Sequence, residues 1–204
     1  MRRFAAVLLD MDGTLVDSDA AVERAWITWA GEAGVGVDDI RPRMHGNPAL
    51  TTIRAVRPDL DAPAAERAAL RQMELQYADL HDVVPTPGTD DLVTALRELG
   101  LPWAVVTSAD KQLAAARLGA AGIAPPLLVT VEETPRGKPH PDPYLVAAAR
   151  LGVDPAACLV VEDSQPGIDA GHAAGCTVAA LRGLDADIRL DSLADLARLL
   201  RAEA

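Results

Sequence analysis

The sequence predicts an α/β fold: a parallel sheet flanked by helices and interrupted by one helical insertion. Two observations carry that prediction. First, short apolar runs of strand character alternate with segments whose apolar residues recur at helical spacing. Such alternation implies a parallel sheet with helices on both faces. Second, the rhythm breaks once, because no other convincing strand occurs between Leu9 and Trp103. A crossover between parallel strands needs only about a dozen residues. The excess is an inserted subdomain.

The apolar run at residues 5–9 is the first buried strand. Residues 20–33 then place Val22, Trp26, Ile27 and Trp29 on or near one helical face. Residues 48–56 and 63–80 are further helical segments, each opening on a proline, which a first helical turn accepts. Val84-Pro85-Thr86-Pro87-Gly88 is a stiff, helix-breaking return. The insertion therefore occupies residues 17–84, and the core comprises residues 1–16 and 85–204. Further strands fall at 103–107, 127–131, 159–161 and 177–181. Helices fall at 91–99, 111–121, 143–151 and 167–174, with Gly100, Gly122, Gly152 and Gly175 as stop signals.

Half of the residues are apolar but only 3% are aromatic, so Ala, Val and Leu must fill the core. The net charge of −11 argues against a nucleic-acid partner, whose binding rests on basic surface. It leaves a phosphorylated substrate open, since one basic residue and a metal can hold a phosphate. There is no low-complexity tract, no repeat and no stretch long enough to cross a bilayer. Met1-Arg2-Arg3 followed by apolar residues has the outline of a secretion signal. Asp10 and Asp12 interrupt it early, however, and no small-residue cleavage site follows, so it reads as a mature strand. Cys158 and Cys176 form no C-x-x-C pair and lie among apolar, Ala-rich residues. Buried reduced thiols and a cytoplasmic protein are expected.

The chemistry concentrates at strand ends. Asp10-Met11-Asp12-Gly13-Thr14 sets two carboxylates one residue apart. Like charges so close repel unless a divalent cation or a retained proton relieves them. Gly13 lets the chain turn and brings backbone N–H groups near, and Thr14 adds a hydroxyl. The arrangement suits a phosphate handled with a metal; a strand ending in a solvated Asx turn is the other reading. Later strands end at Thr107-Ser108 and at Glu162-Asp163-Ser164. In open parallel sheets that edge is where ligands bind. Lys138 stands between glycine and proline in a loop, and Lys111 is the chain's other lysine among 19 basic residues. A site needing a compact charge would keep lysine there; a solvated loop lysine is the alternative.

Together these segments resemble the haloacid dehalogenase-like hydrolase superfamily. The matching stretches are Asp10-Met11-Asp12-Gly13-Thr14-Leu15-Val16, Val105-Val106-Thr107-Ser108, Gly137-Lys138-Pro139, and Val160-Val161-Glu162-Asp163-Ser164 with Gly167. Their order and spacing agree over nearly the whole chain. The resemblance implies a Rossmann-like sheet, and the insertion resembles the small four-helix cap of the β-phosphoglucomutase and sugar phosphatase branch. Within it, Ala21-Val22-Glu23-Arg24-Ala25-Trp26 and Met44-His45-Gly46 are most similar to sugar, hexitol, 2-deoxyglucose-6-phosphate and glycerol-phosphate phosphatases.

By this resemblance the chain is a Mg²⁺-dependent phosphomonoesterase for small sugar or polyol phosphates. Asp10 is the nucleophile that forms an aspartyl phosphate. Asp12 protonates the leaving oxygen and then takes a proton from water. Mg²⁺ is held by Asp10, the Asp12 backbone carbonyl and Asp163, with Glu162 nearby or coordinating. Thr107, Lys138 and the Ser108 backbone hold the phosphoryl oxygens. His45 and Gly46 are expected in a substrate-contacting cap loop, and Trp26 and Trp29 in the cap core. Neither nucleic acid nor membrane is expected as a partner, and the protein is expected to be a monomer. The alternative is a sugar phosphate mutase, but Val22 stands where that family has its cap histidine. A phosphonate hydrolase would need a cap lysine, which this cap lacks, and a dehalogenase would not need Asp12. A non-catalytic phosphate-binding protein is the reading from another class.

Overall fold

The computed structural model describes residues 4–44, 47–78 and 80–203. Its six-stranded sheet contains β1 (Ala6–Leu9), β4 (Trp103–Val106), β5 (Leu128–Val129), β6 (Cys158–Glu162), β7 (Thr177–Ala180) and β8 (Ile188–Arg189), in the order β5-β4-β1-β6-β7-β8. Every pairing in it is parallel. The fold is thus the parallel α/β sheet that the strand–helix alternation predicts, and the Rossmann-like one that the resemblance implies.

Alternation along the strands explains the layers. Val7, Leu9, Val105, Leu159, Val161 and Ala179 face one way. There they pack on α5 (Thr89–Leu99), α6 (Lys111–Ala120) and α9 (Leu193–Ala202). Ala6, Leu8, Ala104, Val106, Val160 and Val178 face the other way, against α7 (Asp142–Leu151) and α8 (Gln165–Ala173). Successive strand side chains point to opposite faces, so buried strands read as continuous apolar runs. Cys158 and Cys176 are buried and free in the second layer, as their apolar surroundings suggest.

Between β1 and α5 the chain leaves the sheet. Two short strands, β2 (Val16–Asp17) and β3 (Val84–Pro85), pair antiparallel and tie the departing and returning segments together. The helices between them are α1 (Asp19–Ala33), α2 (Val37–Ile40), α3 (Ala49–Val56) and α4 (Ala62–Ala78). They enclose a separate apolar cluster that includes Val22, Trp26, Trp29, Ile40, Ile53 and Ala65. Trp26 and Trp29 meet edge to face at 5.6 Å in it, and such a contact adds to their burial. The short β2 and β3 fall in the interval read from sequence as free of strands, and α2, β8 and α9 lie beyond the segments read there. Among the described residues, no helix is long and apolar enough to cross a membrane.

Candidate active site

The chain runs outward from β1 to β4 and β5, then returns to place β6 on the other side of β1. That reversal opens a crevice at the carboxyl ends of β1 and β6. Asp10 follows β1 there, with its backbone N–H donating to the Val161 carbonyl at 3.0 Å. Asp163 follows β6 directly. One carboxylate oxygen from each of Asp10, Glu162 and Asp163 lies within 4.8 Å of the other two.

Lys138 enters between them from the loop before α7. Its ammonium donates to Asp10 Oδ1 at 2.5 Å, to Glu162 Oε1 at 2.6 Å and to the Val106 carbonyl at 3.0 Å. The side chain is 3% exposed, so Lys138 is a buried charge and not a solvated loop lysine. Burial works against the ammonium, but Asp10 and Glu162 outweigh it and hold its pKa above the ordinary value.

Glu162 is fully buried, and both of its oxygens are engaged. Oε1 accepts from Lys138 and from the Tyr144 hydroxyl at 2.6 Å. Oε2 accepts from the Ser164 hydroxyl at 2.9 Å and from the backbone N–H of Asp163 and Ser164. Gly167 lies over this carboxylate: a Cβ there would come within 1.8 Å of Oε1. The Ser164 hydroxyl also accepts from the Gly167 N–H, capping α8.

Three carboxylates around one ammonium are electrostatically crowded. Burial, with Glu162 and Asp163, holds the Asp10 carboxyl well above its usual range despite Lys138. Burial and Glu162 push Asp163 up to about 7 against the pull of Arg182 and Lys138. Hard, oxygen-only donors with surplus negative charge fit a divalent cation of the calcium or magnesium type. The backbone is shaped around one of them. Gly13 has φ of +82°, and a Cβ on it would lie 2.0 Å from Asp163 Oδ2. Gly13→Ala is therefore expected to cost more than about 1 kcal/mol and to displace the Asp163 carboxylate. Urea denaturation measures the first effect; an unchanged midpoint would show that the turn relaxes freely.

Asp12 stands at the mouth of the crevice. Its Oδ1 accepts from the Ser18 hydroxyl at 2.6 Å, and its Oδ2 pairs with Arg117 at 2.8 Å. Thr107 is buried at the end of β4; its hydroxyl accepts from the Ala109 N–H at 3.0 Å and keeps its own proton to donate. Thr107 and Ser108 line a cavity of about 230 Å³ together with Asp10, Asp12, Lys138 and Asp163. The opposite wall comes from the insertion and includes Val22, Trp26, Met44, Leu50 and Met73. Trp26 thus belongs both to the insertion's apolar core and to the cavity wall. The Thr14 hydroxyl is buried without a hydrogen-bond partner and lines no part of this cavity. His45 and Gly46 lie outside the described residues; their neighbour Asn47 lines the cavity.

The family model for haloacid dehalogenase-like hydrolases matches residues 4–175. The chain belongs to the haloacid dehalogenase-like hydrolases. Within this family it is 42% identical over 183 residues to hexitol phosphatase A of Escherichia coli, covering 88% of this chain and 83% of that protein. It is 36% identical over 190 residues to N-acetylmuramic acid 6-phosphate phosphatase of Pseudomonas aeruginosa, covering 88% and 82%. The crystal structure of a β-phosphoglucomutase from Clostridium difficile shares the fold, with a TM-score of 0.86 at 20% identity over 98% of this chain and 96% of that one.

The structure also brings in residues of this hydrolase that the motif pattern does not mark. Arg117 on α6 is 3% exposed and touches Asp12. Tyr144 on α7 secures Glu162. Arg182, after β7, pairs with Asp163 at 3.0 Å and holds Asp19 at the start of α1. Arg117 falls ten residues past Thr107, with nothing local to separate it from the surface arginines around it; only the packing of α6 buries it.

Proposed function

We propose that this protein is a Mg²⁺-dependent phosphomonoesterase of small sugar or polyol phosphates. The observation that carries the reading is the buried Asp10 carboxylate, set between Lys138 and Asp163 at the mouth of the cavity and two residues before Asp12. A carboxylate so placed can attack phosphorus. The bond between phosphorus and the ester oxygen breaks as the Asp10–phosphorus bond forms. Asp12 gives its proton to the departing oxygen. It then takes one from a water that attacks the aspartyl phosphate, which releases inorganic phosphate and restores Asp10. Splitting the displacement into two steps needs an acid that becomes a base, and Asp12 is the carboxyl group in place for that. Lys138, the Thr107 hydroxyl and the Ser108 backbone N–H hold the phosphoryl oxygens as charge redistributes.

Asp10, Asp163 and the Asp12 backbone carbonyl would hold Mg²⁺. When bound, it would neutralise the crowded carboxylates and the phosphoryl charge. Glu162 belongs with Lys138 in this reading: its oxygens are already satisfied by five donors. Residues 17–84 form the cap, whose apolar wall closes over the leaving group and excludes water, with His45 and Gly46 in its contact loop. The relatives named hexitol phosphatase A and N-acetylmuramic acid 6-phosphate phosphatase support the substrate class, and Val22 in the cavity wall offers no histidine for mutase chemistry. The free buried cysteines and the acidic surface suit a cytoplasmic enzyme, and a cap that opens and closes suits a monomer.

The test is kcat/KM for phosphate release from hexose, hexitol, pentose and glycerol phosphates, with and without Mg²⁺. Selective, Mg²⁺-dependent hydrolysis is expected. Phosphate exchange between positions of a glucose phosphate without net release would establish the mutase instead. No release from any of them would overturn the reading.

Metal dependence has a stability signature. An Asp whose folded pKa is raised costs nothing while it is protonated in both states. As pH rises past the unfolded value the unfolded chain releases that proton, and folding is progressively disfavoured until the folded pKa is passed. For Asp163 that window runs from about 4 to about 7. In chelator the melting temperature is expected to fall across it. Millimolar Mg²⁺ should raise the melting temperature more at about pH 8 than at about pH 5.5, because metal ligands must be deprotonated. An equal metal-induced shift at both pH values would contradict this assignment.

A further inference from the structure

Arg117 and Gln76 meet across the cavity from opposite sides of the molecule. Arg117 comes from core helix α6 and Gln76 from cap helix α4, and both line the cavity. The guanidinium pairs with Asp12 Oδ2 at 2.8 Å through one terminal nitrogen and donates to Gln76 Oε1 at 2.5 Å through the other. The Gln76 amide in turn donates to Gln72 Oε1 at 2.6 Å. Arg117 Nε is buried without a hydrogen-bond partner. A guanidinium has five N–H donors and an amide has two, so this bridge does not exhaust them. The pair is a set of donors placed next to the proposed acid, in a wall otherwise largely apolar.

Charge decides what it would take. Among the described residues lining the cavity, the cations are Arg117 and Lys138. Arg117 is matched by Asp12, and Lys138 by Asp10 and Glu162. Even with Asp12 protonated as the acid, the Asp10, Asp110 and Asp163 carboxylates line the cavity against these two cations, so a carboxylate or second phosphate on the leaving group would be buried uncompensated. A neutral hydroxyl accepts from such donors at no charge cost. Asp12 must reach the ester oxygen, and Arg117 is in contact with Asp12. The donors therefore reach substituents on the carbon beside the ester carbon.

We propose that Arg117 and Gln76 determine specificity by donating hydrogen bonds to an uncharged hydroxyl on the carbon adjacent to the phosphoester carbon, which selects polyol or sugar monophosphates over phosphorylated acids and deoxy analogues. This rests on the phosphatase reading above and narrows its substrate class.

The experiment compares kcat/KM for glycerol 1-phosphate, for 1,3-propanediol monophosphate, which lacks the adjacent hydroxyl, and for 2-phosphoglycolate, which carries a carboxylate there. p-Nitrophenyl phosphate reports phosphoryl transfer alone. Wild-type enzyme is expected to favour glycerol 1-phosphate by roughly tenfold or more over each of the other two alkyl esters, the scale of an unmade buried hydrogen bond. Gln76→Leu and Arg117→Lys should bring the ratio to the deoxy ester towards one. Gln76 is half-buried, so its variant carries the test should Arg117→Lys fail to fold. Equal wild-type rates on the hydroxylated and deoxy esters, a preference for phosphoglycolate, or a ratio unmoved in a folded variant would overturn the proposal. Failure to hydrolyse even p-nitrophenyl phosphate would instead refute the phosphatase reading.

Discussion

Asp10→Asn is expected to reduce kcat by at least about a thousandfold, as loss of a nucleophile does elsewhere, while the protein stays folded. The two halves of that expectation have different origins. Activity is lost because an amide oxygen is a poor nucleophile towards phosphorus and cannot carry the aspartyl phosphate. Stability is kept because Asn is nearly isosteric with the protonated acid. In the metal-free protein the Asp10 carboxylate sits among Glu162 and Asp163, and burial holds its pKa well above the usual range. Removing that charge relieves more repulsion than it removes attraction, since Lys138 keeps Glu162 at 2.6 Å. The melting temperature without metal should therefore be unchanged or higher near neutral pH. With metal it should rise less than in wild type, because one ligand is gone. Initial-rate assays and thermal melts in chelator and in Mg²⁺ give all three readings. Steady-state turnover within tenfold of wild type would place the nucleophile elsewhere.

The residues of this expectation were legible in the sequence because the chemistry sits on backbone-defined positions. Asp10 and Asp163 follow strands whose apolar runs are unambiguous, and a parallel sheet brings strand ends to one edge. For Lys138 the glycine and proline neighbours and the scarcity of lysine left a solvated loop residue open, and the resemblance carried its placement in the site. What escaped were side chains that matter through burial. Arg117 and Tyr144 are helix residues, and a helix puts any residue on some face. Which face meets the crevice depends on how α6 and α7 pack on the sheet, a tertiary fact without a local signal. Glu162 shows the same limit. Its sequence position fits a residue that coordinates the metal or one that lies beside it, and the five donors around it support the counter-charge role proposed above. The C-terminal helix differs, since Ser192 caps it with Asp195 and its buried Leu193, Leu196, Ala197 and Leu200 recur at helical spacing. That signal lay in the chain but beyond the segments the strand–helix rhythm had organised.

Lys138→Met is expected to remove activity and to destabilise the fold by roughly 3–5 kcal/mol, the cost of breaking a buried ion pair from one side. The size follows from what would be left. Glu162 is 0% exposed and Asp10 is 8% exposed, and both would face a thioether in place of an ammonium. Tyr144 and Ser164 still donate to Glu162, so part of the charge remains solvated by dipoles. A methionine fills much of the lysine's volume, so the loss measures charge and not a cavity. The control is Lys138→Met combined with Glu162→Gln, which removes one stranded carboxylate. If Glu162 is the counter-charge of Lys138, the double variant recovers stability relative to Lys138→Met, and the two substitutions are non-additive by about 0.5–3 kcal/mol. Activity does not return, because the phosphoryl oxygens still lack their ammonium. Lys138→Arg should also be damaging, by about 10²–10³ in kcat, since a planar fork does not fit where one compact group serves three acceptors at 2.5–3.0 Å. Urea denaturation and initial rates on wild type, Lys138→Met, Glu162→Gln, the double variant and Lys138→Arg separate these contributions. Strict additivity would mean that Glu162 answers to some other cation, and a metal ion held between Asp10, Asp163 and Glu162 would then be the first candidate.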